Sequence, residues 1–69
     1  MIWNYRVVSG RYAYGIHEVY YEDGKVALHT DNPIHPSGET LEELKADYKR
    51  MAEAFDKPVL DYDKIGLIR

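Results

Sequence analysis

An α+β fold follows from three features of this 69-residue chain. Two strand-like runs meet at Asp23-Gly24, a capping box stands at Thr40 and Glu43, and a single amphipathic period follows it. Asp-Gly is a preferred two-residue type I′ turn, because both central residues must adopt positive φ. The Thr40 hydroxyl can accept from a free first-turn N–H while the Glu43 carboxylate reaches back to the cap. Together they predict a three-stranded antiparallel meander, packed on one face by a single helix from the C-terminal half, with a short fourth strand after it. Sixty-nine residues provide one domain, residues 1–69, with a single small core.

Each element has its own local warrant. Residues 2–8 read as a strand with Trp3, Tyr5 and Val7 on one face and Asn4 and Arg6 on the other. Ser9-Gly10-Arg11 is a turn. A second strand over 12–22 and a third over 25–30 form the hairpin. An unbroken two-residue register sets Glu22 opposite Lys25, Tyr21 opposite Val26, Val19 opposite Leu28 and Glu18 opposite His29. Val19, Tyr21, Val26 and Leu28 then face the helix, and Ile16, Glu18, Tyr20 and His29 form the uncovered side. Residues 31–38, with two prolines and a glycine, are a loop. The helix spans 41–55, with Leu41, Leu44, Tyr48, Met51 and Phe55 as its core-facing row. Acids crowd its first turn and Lys49 and Arg50 its end, as the macrodipole favours. Lys57-Pro58 stops it. Val59, Leu60 and Tyr62 suit the short fourth strand, and Ile65, Leu67 and Ile68 either add an edge strand or need a covering neighbour.

Composition narrows the functional classes. The net charge is −3 and the nine Lys and Arg are scattered, whereas nonspecific nucleic-acid binding needs clustered cations that displace phosphate counterions. With no cysteine, neither a disulfide nor a thiolate metal site is available. The first residues lack the basic-then-apolar order of a signal peptide, and no apolar run reaches membrane-spanning length. The expectation is a cytoplasmic protein with no membrane partner.

The order of strand, hairpin, Pro-containing loop and Gly38-Glu39-Thr40-Leu41-Glu42-Glu43-Leu44 resembles the N-terminal lobe of HicB-type antitoxins, a partial RNase H-like fold. Residues 14–21 (Tyr-Gly-Ile-His-Glu-Val-Tyr-Tyr) and 57–60 (Lys-Pro-Val-Leu) also look like segments of small bacterial β-β-β-α proteins. The resemblance covers roughly residues 3–60. It implies a module that masks a partner; no DNA-binding unit follows it here. No set of acids matches a two-metal catalytic cluster.

Two constellations could carry function. Glu18 beside His29 would orient an imidazole and form half of an acid–base couple, although an exposed cross-strand pair does the same with no chemistry. His17, His29 and His35 offer zinc-type ligands, but adjacent strand residues such as His17 and Glu18 point to opposite faces. No metal and no cofactor are expected. Trp3, Tyr5, Tyr21 and Tyr48 are read as core. Ile16 and Tyr20 lie on the side one helix cannot reach. The leading expectation is therefore a noncatalytic protein-binding module, antitoxin-like or like a phage inhibitor such as an anti-CRISPR protein. It would meet a protein partner or a second copy through Ile16, Glu18, Tyr20 and His29, with Asp61 and Asp63 of the acidic C-terminal region contributing. The alternative is a small enzyme or ligand binder centred on Glu18 and His29.

Overall fold

The computed structural model describes residues 2–10 and 13–67. Its long strands are β1 (Ile2–Ser9), β2 (Tyr14–Glu22) and β3 (Lys25–His29), followed by α1 (Leu41–Ala52), which continues as a 3-10 turn over Glu53–Asp56. Two short strands close the chain, β4 (Leu60–Asp61) and β5 (Gly66–Leu67), separated by a 3-10 turn at Tyr62–Lys64. The sheet order is β4-β1-β2-β3-β5. The meander is antiparallel, and each short strand adds in parallel to one edge, β4 on β1 and β5 on β3. The fold is thus the expected α+β meander with one helix. The Arg11 turn, the expected strand start at Tyr12, and Ile68 lie outside the described residues.

The Asp-Gly turn forms as expected, and so does the hydroxyl half of the capping box. Asp23 and Gly24 both have positive φ, 52° and 77°, and Glu22 pairs with Lys25. Thr40 caps α1 by accepting from the Glu43 N–H at 3.1 Å. Beyond the turn, however, the register slips. Tyr21 pairs with Val26 but Tyr20 pairs with Leu28, so a bulge leaves Ala27 as an extra residue in β3. A shift of one residue exchanges the faces of everything beyond it. Accordingly His29 sits opposite Val19, not Glu18.

A second parity decides which face the helix covers. Trp3 pairs with Tyr20, Tyr5 with Glu18 and Val7 with Ile16, so these six residues share one side. The core cluster on that side is Tyr5, Val7, Met51 and Ala54, with Trp3, Ile16 and Ile34 packed against it. Ile16, Glu18 and Tyr20 therefore lie on the same side of the sheet as the helix, not on the face away from it. The expected parity failed because four residues separate the paired Ser9 and Tyr14, and the turn that sets their offset has no signature as strong as Asp-Gly.

The opposite side is covered as well. Val8, Val19 and His29 are fully buried there, and Arg6 and His17 nearly so. The chain after the helix crosses this side: the Pro58 carbonyl accepts from Arg6 Nη2 at 2.8 Å, and the Tyr62 ring lies 4.4 Å from that of His29. The loop after β3 stays close to β2, where Thr30 N–H donates to the Glu18 carbonyl and Ile34 N–H to that of Ile16. Gly15 permits this approach, since a Cβ there would come within 2.8 Å of the Pro33 ring.

Helix α1 docks by a row that shares only Met51 with the expected apolar period. Asp47, Arg50, Met51 and Ala54 follow i, i+3, i+4, i+7 spacing and face the sheet. Asp47 accepts from the Tyr5 hydroxyl at 2.7 Å, Arg50 lies 5.2 Å and 5.6 Å from the Trp3 and Tyr5 ring centroids, and Met51 and Ala54 are buried. Leu41, Tyr48 and Phe55, expected in the core, are instead exposed. Truncating Met51 to Ala should lower unfolding stability by about 2–4 kcal/mol, as for other buried large-to-small changes. The same truncation at exposed Phe55 should cost no more than about 0.5 kcal/mol. Urea denaturation of the two variants checks this, and equal losses would mean the helix docks by its apolar row after all.

Candidate functional site

The residues singled out from the sequence do not converge. Glu18 and Tyr20 stay together on the helix side of the sheet, where the Tyr20 hydroxyl donates to Glu18 Oε1 and the Tyr20 ring lies 6.1 Å from Trp3. That bond is the leading cause that raises the Tyr20 phenol above its ordinary value. Ile16 is half-buried against the same core. His29 is on the far side and fully buried, so the Glu18–His29 couple does not exist: the Ala27 bulge separates the two groups by the thickness of the sheet. Asp61 and Asp63 are exposed and serve the backbone, with Asp61 Oδ1 accepting from the Asp63 N–H at 2.9 Å.

His29 instead ties the tail to the sheet. Its Nδ1 faces the Thr30 carbonyl at 2.6 Å and its Nε2 the Tyr62 carbonyl at 3.1 Å. Carbonyl oxygens only accept, and a neutral imidazole carries one N–H, so the ring serves both at once only when doubly protonated. His17 shares the Thr30 carbonyl through its own Nδ1, at 2.8 Å, and the two rings are 5.5 Å apart. The Tyr62 hydroxyl donates to Asp31 Oδ1 at the rim of this cluster. Burial pushes the His17 imidazole below its ordinary value, repulsion from His29 adds to that, and the Thr30 bond and Asp31 oppose it. With Nδ1 of both rings turned to one carbonyl and His35 exposed in the loop, the three histidines do not form a ligand set. Among the described residues no group of three or more His, Cys, Asp or Glu is placed to hold a metal.

On the helix side, Tyr5 and Asp47 form the clearest electrostatic pair. Burial first, then the hydrogen bond to Asp47 and its charge, push the Tyr5 phenol up to about 12. Asp47 is lowered in turn, chiefly by that bond and then by the Ser37 N–H, which donates to Oδ2 at 3.0 Å. The network clamps helix to strand and loop to helix. Both carboxylate oxygens of Asp47 are engaged in holding these elements together.

The feature that packing leaves unused is the outer row of α1. Leu41, Tyr48 and Phe55 are 62%, 65% and 71% exposed. Leu44, half-buried, joins them beside Pro36, and a cleft of about 460 Å³ is lined by Pro36, Leu44, Lys45, Tyr48 and Lys49. The sequence marks 41, 44, 48, 51 and 55 as one apolar period, of which Met51 is buried against the sheet and the others form this outer row. Its spacing says that one face is apolar without saying whether the sheet or a partner covers it.

No family model, no curated protein and no solved structure matches the chain. The class therefore rests on fold and surface: an α+β domain with an exposed apolar helix face. Among the described residues no helix is long and apolar enough to cross a membrane.

Two titrations check these assignments. The fold accommodates neutral His17 better than charged, so its contribution is complete above the ordinary value of 6.5 and is lost as pH falls from there toward the lowered folded value. The drop in urea midpoint between neutral and mildly acidic pH should shrink in His17→Gln; an undiminished drop would assign it elsewhere. Tyr5 has the opposite sign: its phenol is raised, so its contribution is complete below 10 and fades as pH rises toward about 12. Phenolate absorbance should show a late-titrating tyrosine that disappears in Tyr5→Phe.

Proposed function

We propose that this chain is a noncatalytic protein-binding module that docks its partner on the outer face of α1 and the 3-10 turn after it. The observation that carries this reading is the exposure of Leu41 and Tyr48, one heptad apart on α1, and of Phe55 in the 3-10 turn after it, each well over half exposed. Large aromatic and aliphatic groups at one-heptad intervals are the signature of a helix that packs against another segment. A contiguous apolar strip with a cleft beside it marks an interaction surface better than scattered exposed residues do. The antitoxin-lobe resemblance agrees in kind, since such a lobe masks a partner, although the surface argued for is the helix and not the sheet.

The alternative, an acid–base site at Glu18 and His29, needs both groups within hydrogen-bond reach of one substrate atom. Each is engaged on its own side of the sheet. The docking reading is tested by photo-crosslinking. A benzophenone amino acid placed at Tyr48 or Phe55 should give a discrete protein adduct in an extract of the native host, and one placed at Glu22, on the hairpin end, should not. Substituting Leu41→Ser in the Tyr48-labelled chain should remove the adduct while urea stability stays within about 0.5 kcal/mol. Identical adducts from positions 48 and 22 would end this reading.

A further inference from the structure

The tail that crosses the far side of the sheet is held there as a strap. It enters at Pro58, whose carbonyl accepts from Arg6, and passes Tyr62, whose carbonyl faces His29 Nε2 at 3.1 Å. The Tyr62 hydroxyl reaches Asp31, and β4 and β5, two residues each, fix the strap to the two edges of the sheet. A segment tied by so few ladder bonds opens at a lower free energy than the fold as a whole.

Beneath the strap lie three groups that carry or can take a positive charge. The register sets His17 directly opposite Arg6 on the same side of the sheet, and the His17 ring is 5.5 Å from that of His29. All three residues are buried. Their hydrogen-bond partners are carbonyl and hydroxyl oxygens: Tyr21 and Pro58 for Arg6, Thr30 for both imidazoles, Tyr62 for His29. Asp31, exposed where the loop begins, is the carboxylate that favours a cation at His17. On the strap itself Asp61, Asp63 and Lys64 are exposed, and Asp61 Oδ1 is turned to the Asp63 N–H. A proton on His17 thus adds charge to a buried patch that already holds the guanidinium of Arg6, and like charges on neighbouring strands repel.

We infer that the tail is an acid-released strap: protonation of His17 detaches residues 58–67 from the sheet while the meander and α1 stay folded, uncovering Val8, Val19 and His29. The closed state favours neutral His17. Opening hydrates the ring and returns it to its ordinary value of 6.5, so below that pH the open state binds the extra proton. Closure is therefore complete in neutral solution and weakens as pH falls. A single proton limits the change to about tenfold in the opening equilibrium per pH unit. The helix clamp does not share this dependence. Asp47 is held below its ordinary value by Tyr5 and the Ser37 N–H, so it keeps its charge through the same range.

Native-state amide exchange on the full chain tests the strap, with intrinsic exchange rates divided out at each pH. Protection of the β4 and β5 amides should fall severalfold from pH 6.5 to about pH 5, while that of the β1–β2 ladder and α1 holds. The fall should share its midpoint with the His17 ring titration followed by proton NMR. His17→Gln keeps an N–H donor for the Thr30 carbonyl and takes no proton, so its strap should stay protected throughout. Three results would overturn the inference: strap protection that is flat down to about pH 5, a simultaneous loss in the strap and the β1–β2 ladder, or an acid opening that survives His17→Gln. Should that variant fold poorly, the unsubstituted chain decides alone, since separate midpoints for ring and strap reject the coupling.

Discussion

The hydrogen bond from Tyr5 to Asp47, with Arg50 laid over Trp3 and Tyr5 beside it, sets the rotation of α1 about its own axis, and the other surfaces of the molecule follow from it. An amphipathic helix left to hydrophobicity would turn its apolar row inward. Here the sheet offers, at the place the helix must cover, a phenol and an indole with few aliphatic groups. A carboxylate that accepts from the phenol and a guanidinium that lies over the rings match that surface better than leucine would. Met51 and Ala54 complete the contact one turn further on. The rotation that satisfies the polar groups leaves Leu41, Tyr48 and Phe55 outside.

The far face of the sheet has a different solution. Its buried members include Arg6, His17 and His29, polar groups that a second helix with an apolar face would leave unsatisfied. An irregular tail suits them because its free backbone carbonyls accept from guanidinium and imidazole. Pro58 serves Arg6, and Tyr62 serves His29. The two short parallel strands pin this segment at both edges of the sheet. Among the described residues one buried side-chain polar atom has no hydrogen-bond partner, Nε of Arg6, a local cost of threading a cation beneath the tail.

These two solutions divide the molecule by role. The tail side is closed by the chain itself, with its polar groups turned inward. The helix side keeps Leu41, Tyr48 and Phe55 exposed. A small domain gains nothing in its own stability from exposing two aromatics and a leucine, and the proposed docking role rests on that exposure.

Local chemistry made much of this legible. Asp23-Gly24 specifies positive φ at two consecutive residues, and Thr40 with its first-turn neighbours specifies a helix start; both act within four residues and need no tertiary partner. The fold class, the meander, the cap and the helix could thus be read from residue order. The face assignments could not. The pairing of β1 with β2 depends on a turn without a marked signature, and a bulge at Ala27 carries no glycine to announce it, yet each changes the side on which Glu18, Tyr20 and His29 emerge. Likewise the period 41, 44, 48, 51, 55 is visible in the letters, while the rotation that buries Met51 and displays Leu41, Tyr48 and Phe55 belongs to Tyr5 and Asp47, forty-two positions apart. Parity across strands and rotation of a helix are relations between distant segments, and only the packed chain decides them.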